Sequence, residues 1–371
     1  MERFAGQPLG ANAKIVVLGT PKLGNFVVLT PLLRALKLNN STCELWYRGS
    51  ERTADLEQAC PWIDHRLDPD TNFPEVTNWP VGIDLLINAD AHNPASAELA
   101  SRMAPRYVVG QALGVETGEH PLQQLALDPG WAQPDLLERY AGWLKSGSIR
   151  ELHCRVCWLA ADDAERVELP WREPEIAIPA VLIAVNGERE AKLWPLDHWL
   201  ELLGLIEHRL GIQPSNVGLV GAAPSDTLQG SGHPGDSKGL VIEKALVQAG
   251  VQDLRGKLSL TELVGAFRGC ELAICVDSGP LHLAAAAGCH TVAIFGTDAA
   301  GLGASPQRLW APRQPSVALA TSTLSCPLCQ DERFLNPGCL LPEHGCLLGV
   351  NPTTVIDSAI QTTRQAGHQP A

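Results

Sequence analysis

Short, almost wholly apolar runs recur along this chain, at Lys14–Gly19, Cys43–Tyr47, Ile83–Asn88, Val181–Asn186, Val217–Gly221, Leu272–Val276 and Thr291–Phe295. Runs this short suit strands buried on both faces of a parallel sheet. Between them, apolar positions fall at helical spacing over Phe26–Leu38, Leu196–Leu210 and Pro280–Ala287, with a more polar helical stretch over Glu51–Ala59. Pro121–Leu144 also reads as mainly helical and amphipathic. The alternation predicts an α/β chain of βαβ units, whose ligands bind beyond the carboxyl ends of the strands.

The unit from Glu271 to Asp298 carries the most chemistry. Its first strand ends in Asp277, Ser278 and Gly279, and a small-residue helix with four successive alanines runs to Gly288. Pro280 suits the first helical turn and Gly288 a left-handed C-cap. Backbone N–H groups at Ser278, Gly279 and Leu281 would point out of the helix start with the positive end of its dipole, an arrangement that suits a nucleotide diphosphate. His282 either donates to that phosphate or caps its own helix. Neither G-x-G-x-x-G nor a Walker lysine is present, so a purely structural turn is the alternative.

Composition narrows the class. At 371 residues the chain has room for two domains, and no apolar run approaches the length of a membrane span. Its start lacks the apolar core of a signal peptide, so a soluble cytoplasmic protein is expected. A formal charge of −13 argues against sequence-independent binding to nucleic acid. Eleven cysteines, an odd number, fit thiols or a metal clip better than a disulfide framework. The expected organisation is a flexible leader over 1–13, an N-terminal domain over 14–170, a proline-rich linker over 171–180, a C-terminal domain over 181–351 and a last helix over 352–371.

The stretch VDSGPLHLAAAAGCHTVAIFGTD, with its ordered D-S-G-x-x-H-x-A-A core, resembles the signature of the ADP-heptose:lipopolysaccharide heptosyltransferases of glycosyltransferase family 9; His290 stands where that family usually has proline. The opening element is similar too, matching at Leu23, Gly24, Val27, Thr30, Pro31, Leu33 and Leu36, as is the K-x-W-P motif at Lys192, Trp194 and Pro195. The resemblance implies a GT-B glycosyltransferase, two Rossmann-like domains facing across a cleft, that moves heptose from ADP-heptose to a lipopolysaccharide-core or other glycan with inversion and without a metal. The donor would lie over Asp277, Ser278, Gly279, Leu281, His282, Gly296 and Thr297, with Lys192 offsetting charge on the leaving diphosphate. The acceptor would meet Gly24, Asn25 and His92 in the first domain, and the last helix would cross back to that domain. A lipid-linked acceptor would bring the protein to the inner face of the plasma membrane.

Two departures touch the chemistry. The family's general base is an aspartate at the position of Asn25, and an amide takes up no proton at neutral pH. Asn25 then orients the acceptor or merely caps its helix. Asn88 also replaces a carboxylate, and Asp90, two residues on, is the candidate substitute base, with His92 behind it and a turn-forming role as its alternative. The chain could therefore be an impaired nucleotide-binding paralogue, or a GT-B enzyme of another donor. Cys326, Cys329, Cys339 and Cys346 have spacing that suits zinc, although the family carries a similar stretch and its chemistry needs no metal.

Overall fold

The structure is a computed structural model, and it describes residues 1–67, 79–90, 93–187, 189–224, 238–297, 306–324, 339 and 345–366. The chain divides into two compact units, Met1–Pro170 and Trp171–Ala371.

The first unit is built on a parallel sheet of β1 (Glu2–Arg3), β2 (Lys14–Leu18), β3 (Glu44–Arg48), β4 (His65–Leu67), β5 (Leu85–Asn88) and β6 (Tyr107–Val109). Its spatial order is β1-β6-β5-β2-β3-β4. The helices are α1 (Leu23–Asn39), α2 (Ala54–Ala59), α3 (Pro94–Arg102), α4 (Pro121–Leu127), α5 (Leu136–Arg139) and α6 (Ile149–Val156). The second unit has β7 (Val181–Ala184), β8 (Val217–Leu219), β9 (Gln252–Asp253), β10 (Leu272–Val276), β11 (Thr291–Thr297) and β12 (Val317–Ser322), again all parallel, in the order β12-β11-β10-β7-β8-β9. Its helices are α7 (Leu196–Leu210), α8 (Lys238–Gln248), α9 (Leu260–Gly269), α10 (Gly279–Ala286), α11 (Gln307–Trp310), α12 (Gly345–Leu348) and α13 (Pro352–Ala366).

Both sheets follow one rule. The chain lays a central strand (β2 or β7), adds two strands on one side, then returns to the other side with β5 or β10. Strand order therefore reverses between β2 and β5 and between β7 and β10. Crevices open at such switch points because the connections on either side leave in opposite directions.

Several expectations need correction. Residues 2–3 are not a flexible leader: they pair in parallel with Tyr107 and Val108. Phe4 is buried behind them, 6.0 Å from the Tyr107 ring, and its carbonyl accepts from Gln123 Nε2. Helix α1 starts three residues before the expected Phe26, which places Gly24 and Asn25 inside its first turn; the N-cap is Lys22, without a side-chain cap. Asn25 thus does not cap its helix. Pro31 would orphan the Val27 carbonyl, but Thr30 Oγ1 donates to that oxygen at 2.8 Å. Pro121–Leu144 splits into α4 and α5, because Asp128 Oδ1 accepts from the Gly130 N–H and turns the chain at Asp-Pro-Gly. In the linker region Arg172 is docked: its N–H reaches Thr261 O at 3.1 Å and its guanidinium reaches Ser259 and Thr261.

The second core joins the inward faces of β7, β10 and β11 to α7 and α13, including Val181, Ile183, Ile274, Ile206, Val355 and Ile356. Trp194 and Trp199, both fully buried, meet edge-on at 5.0 Å, and Trp194 Nε1 donates to Val350 O at 3.0 Å. The Trp-Pro motif is thereby a packing device that fixes the loop carrying Lys192. Helix α13 packs on α7, β11 and β12 of its own unit. Among the described residues no helix is long and apolar enough to cross a membrane.

Candidate active site

In the second unit the switch point brings together two of the expected residues. Lys192 ends a single 3₁₀ turn, Glu190–Lys192, in the loop after β7; Asp277 directly follows β10. Lys192 Nζ lies 2.7 Å from Asp277 Oδ2, with the Asp277 side chain 7% and that of Lys192 20% exposed. Gly187 makes the approach feasible, since a Cβ there would sit 3.2 Å from Lys192 Cβ and 3.4 Å from the Asp277 carbonyl oxygen. A carboxylate in this position fixes the ammonium while using one of its three donors. The ammonium remains the more accessible partner, at the mouth of the switch point.

Helix α10 begins beside this pair. Ser278 is its N-cap, in extended conformation, yet its hydroxyl makes no cap bond and donates instead to Val276 O at 3.1 Å. The first turn carries no acidic residue. The N–H groups of Gly279 and Leu281 consequently have no intrahelical acceptor, and the dipole's positive end is not offset by a capping side chain. An ammonium and a helix start at one strand end favour a dianionic ligand such as a diphosphate.

The other expected donor residues have different surroundings. His282 is the fourth residue of α10, 5% exposed, and already has an interaction partner inside the protein. Gly288 is left-handed at φ +75°. The β11–β12 register shifts between Phe295 and Thr297, a bulge that leaves Gly296 outside the pairing. A Cβ on Gly296 would lie 2.7 Å from Cys346 Sγ, so the glycine admits the last cysteine of the Cys-rich segment. Thr297 ends the strand, and Asp298 lies outside the described residues. So do Cys326 and Cys329; Cys339 is half-buried, and among the described residues no three His, Cys, Asp or Glu side chains form a metal-binding group.

The second unit also holds a charged cluster around Arg255. Arg255, after β9, spends Nε and Nη2 on Asp253 at 2.8 and 2.7 Å and Nη1 on Glu243 of α8 at 2.6 Å. Burial raises the Glu243 pKa, with Arg255 and a hydrogen bond from Asn186 pulling the other way; a hydrogen bond from Arg255 lowers that of Asp253. The network ties the ends of β9, α8 and the β7 loop into one support. Asp253 and Arg255 are near neighbours in the chain, but only the folded geometry brings Glu243 to them.

In the first unit the switch point lies between the loops after β2 and β5, joined by the Ala89 N–H to Leu18 O bond of 2.9 Å. Asn25 is half-buried in α1, and Asp90 half-buried in the β5 loop. Asp90 Oδ2 accepts from Asn93 Nδ2 at 2.8 Å, and Asn93 caps α3. Asn88 is structural: its Nδ2 donates to Gln111 O at 2.8 Å, while Oδ1 accepts from the Asp90 N–H at 3.1 Å and from Ser96 Oγ at 3.0 Å. His92 lies outside the described residues.

Residues 160–333 match the model of glycosyltransferase family 9 (heptosyltransferase). No curated protein matches the chain in sequence. Among solved structures, the chain resembles a glycosyl transferase family 9 protein of Veillonella parvula DSM 2008, at 16% identity and TM-score 0.61 over 96% of this chain and 98% of that one. It also resembles the E. coli ADP-heptose lps heptosyltransferase II, at 16% identity and TM-score 0.57 over 95% and 99%. A third is TibC of enterotoxigenic E. coli H10407, an iron-containing dodecameric glycosyltransferase, at 19% identity and TM-score 0.58 over 98% and 82%. At such identities the likeness establishes the fold, that of the GT-B glycosyltransferases.

Proposed function

We propose, from the match of residues 160–333 to the model of glycosyltransferase family 9 (heptosyltransferase), that the chain transfers a heptose or related sugar from a nucleotide-sugar to a glycan. ADP-heptose is the donor this reading favours, and a lipopolysaccharide core the acceptor. The observation that carries it is the Lys192–Asp277 pair beside the uncapped start of α10.

The donor diphosphate lies against the N–H groups of Gly279 and Leu281, with Ser278, Gly296 and Thr297 around it, and takes charge from Lys192. An acceptor hydroxyl attacks the anomeric carbon from the face opposite the diphosphate. The new C–O bond forms as the bond to the diphosphate breaks, the hydroxyl proton passes to Asp90, and Lys192 stabilises the departing nucleoside diphosphate. Asn25 and Gly24 contact the acceptor, Asn25 by hydrogen bond. No metal takes part in this step. The enzyme works in the cytoplasm and meets a lipid-linked acceptor at the inner membrane surface.

A second reading has its own support: Asn25 supplies no base, and one Asp90 oxygen is already hydrogen-bonded in a turn. In it the protein binds nucleotide and transfers nothing. Calorimetric titration with ADP, UDP and GDP separates the readings together with an acceptor-dependent turnover assay. The transferase reading expects selective ADP binding that weakens about tenfold or more in Lys192→Ala, and turnover that survives a chelator and is lost in Asp90→Ala. Preference for UDP or GDP changes the donor. Nucleotide binding without turnover supports the second reading, and full activity in Asp90→Ala removes that base. Loss of turnover on chelation would return the four cysteines to consideration as a zinc site. No binding to any nucleotide would overturn both readings.

A further inference from the structure

Two thiols meet at the opposite end of the second sheet. Cys270 closes α9 just before β10, and Cys289 follows α10 just before β11. Their sulfur atoms are 3.4 Å apart. Cys270 Sγ also donates to Phe267 O at 3.6 Å and Cys289 Sγ to His290 O at 3.4 Å, so both side chains are held in this arrangement. Cys289 is buried, whereas Cys270 is half-buried; of the other described cysteines only Cys339 is not buried. A bonded pair needs a separation of about 2.05 Å, so the sulfurs have a little over an ångström left to close.

We propose that Cys270 and Cys289 form a reversible disulfide by exchange with a low-molecular-weight disulfide such as oxidised glutathione. The Cys270 thiolate attacks one sulfur of the oxidant, which breaks its S–S bond and expels one glutathione thiolate. The Cys289 thiolate then attacks the Cys270 sulfur of the mixed disulfide and expels the second. Each expelled thiolate takes up a proton that a protein thiol has given up. The protein loses two electrons and two protons, and the oxidant becomes two thiols.

The crosslink would join the ends of the segment that contains β10, the Asp277–Gly279 turn and α10, and so tether the strand–turn–helix element at its far end. The adjoining Cys289 sulfur, with burial, pushes the Cys270 pKa far above that of an ordinary thiol. Exchange is therefore slow at neutral pH and quickens with alkalinity.

The test equilibrates the purified full chain in glutathione buffers from reducing to oxidising, blocks free thiols and maps the peptides by mass. The expected result is a Cys270–Cys289 crosslinked peptide that dominates under oxidising conditions and is reversed by dithiothreitol. The oxidised protein should melt roughly 5–10 °C higher, a difference absent in Cys270→Ser and Cys289→Ser. Recovery of both residues as free thiols, as separate glutathione adducts, or in bridges to other cysteines overturns the proposal. The peptide map of the unsubstituted protein decides the matter even where a serine variant fails to fold.

Discussion

Asn88 offers the sharpest test of how the first switch point is held. It is 3% exposed and both ends of its amide are engaged: Nδ2 donates to Gln111 O, and Oδ1 accepts from the Asp90 N–H and Ser96 Oγ. Because the Asp90 N–H can only donate, the orientation of the amide is fixed. Asn88→Asp keeps the acceptor and removes the donor, setting carboxylate lone pairs against the Gln111 carbonyl. The Gln111 carbonyl is only half-buried, so leaving it unpaired costs about 1 kcal/mol; the desolvated charge at the buried Asn88 position adds to it, for a total of about 2–4 kcal/mol at neutral pH. Protonation would restore an O–H to donate to Gln111, so the folded state raises this carboxyl's pKa above its unfolded value. The stability of the variant relative to the parent is then greatest at low pH and is lost as pH rises through the raised folded value. Urea denaturation of both proteins at about pH 5 and about pH 7.5 should show a gap that opens toward neutrality. Equal stability at neutral pH, or a gap that widens on acidification, would refute the reasoning.

Other substitutions probe other joints. Thr30→Val should cost about 1–2 kcal/mol by denaturant titration, because the Val27 carbonyl loses its donor; adding Pro31→Ala should recover part of that by returning an N–H to the same oxygen. Gly265→Ala places a methyl against the Arg172 carbonyl oxygen, and should cost about 1–3 kcal/mol in a melting experiment as Arg172 is pushed off α9. His153, 8% exposed, has its pKa lowered by burial to about 4. The unfolded imidazole protonates near its ordinary value of about 6.5, so this residue's contribution is present above that pH and lost as pH falls toward 4, by up to roughly 3 kcal/mol. His153→Leu should flatten that slope in pH-dependent unfolding; an unchanged slope would count against the assignment.

The central strands were legible in the sequence because burial on both faces leaves nearly continuous apolar runs, as at Leu272–Val276 and Val181–Ala184. The turn at Asp277–Gly279 was legible for a related reason, since Pro280 and Gly288 mark the two ends of its helix. What escaped was non-local. Glu2 and Arg3 carry no strand pattern and become a strand only through β6. The β2–α1 boundary is hidden in the sequence, because Gly24 suggests a loop and Lys22 gives no capping signal. Asp128-Pro129-Gly130 was a break that helical periodicity on both sides concealed. The motifs put Lys192 and Asp277 at one site, but their ion pair, like that of Arg255 with Glu243, joins side chains from separate connections, so periodicity and spacing carry no trace of the pairing.

The place of β1 also bears on how the first unit is made. The polypeptide is synthesised from its amino end, yet residue 2 finds its partner only at residue 107, after every other strand of that sheet has been translated. The strand that comes first in the order of this sheet's residues is thus the last able to dock. Until then the apolar Phe4 has no Tyr107 to cover it, and the nascent chain has to hold an unpaired strand open while the rest of its sheet is made.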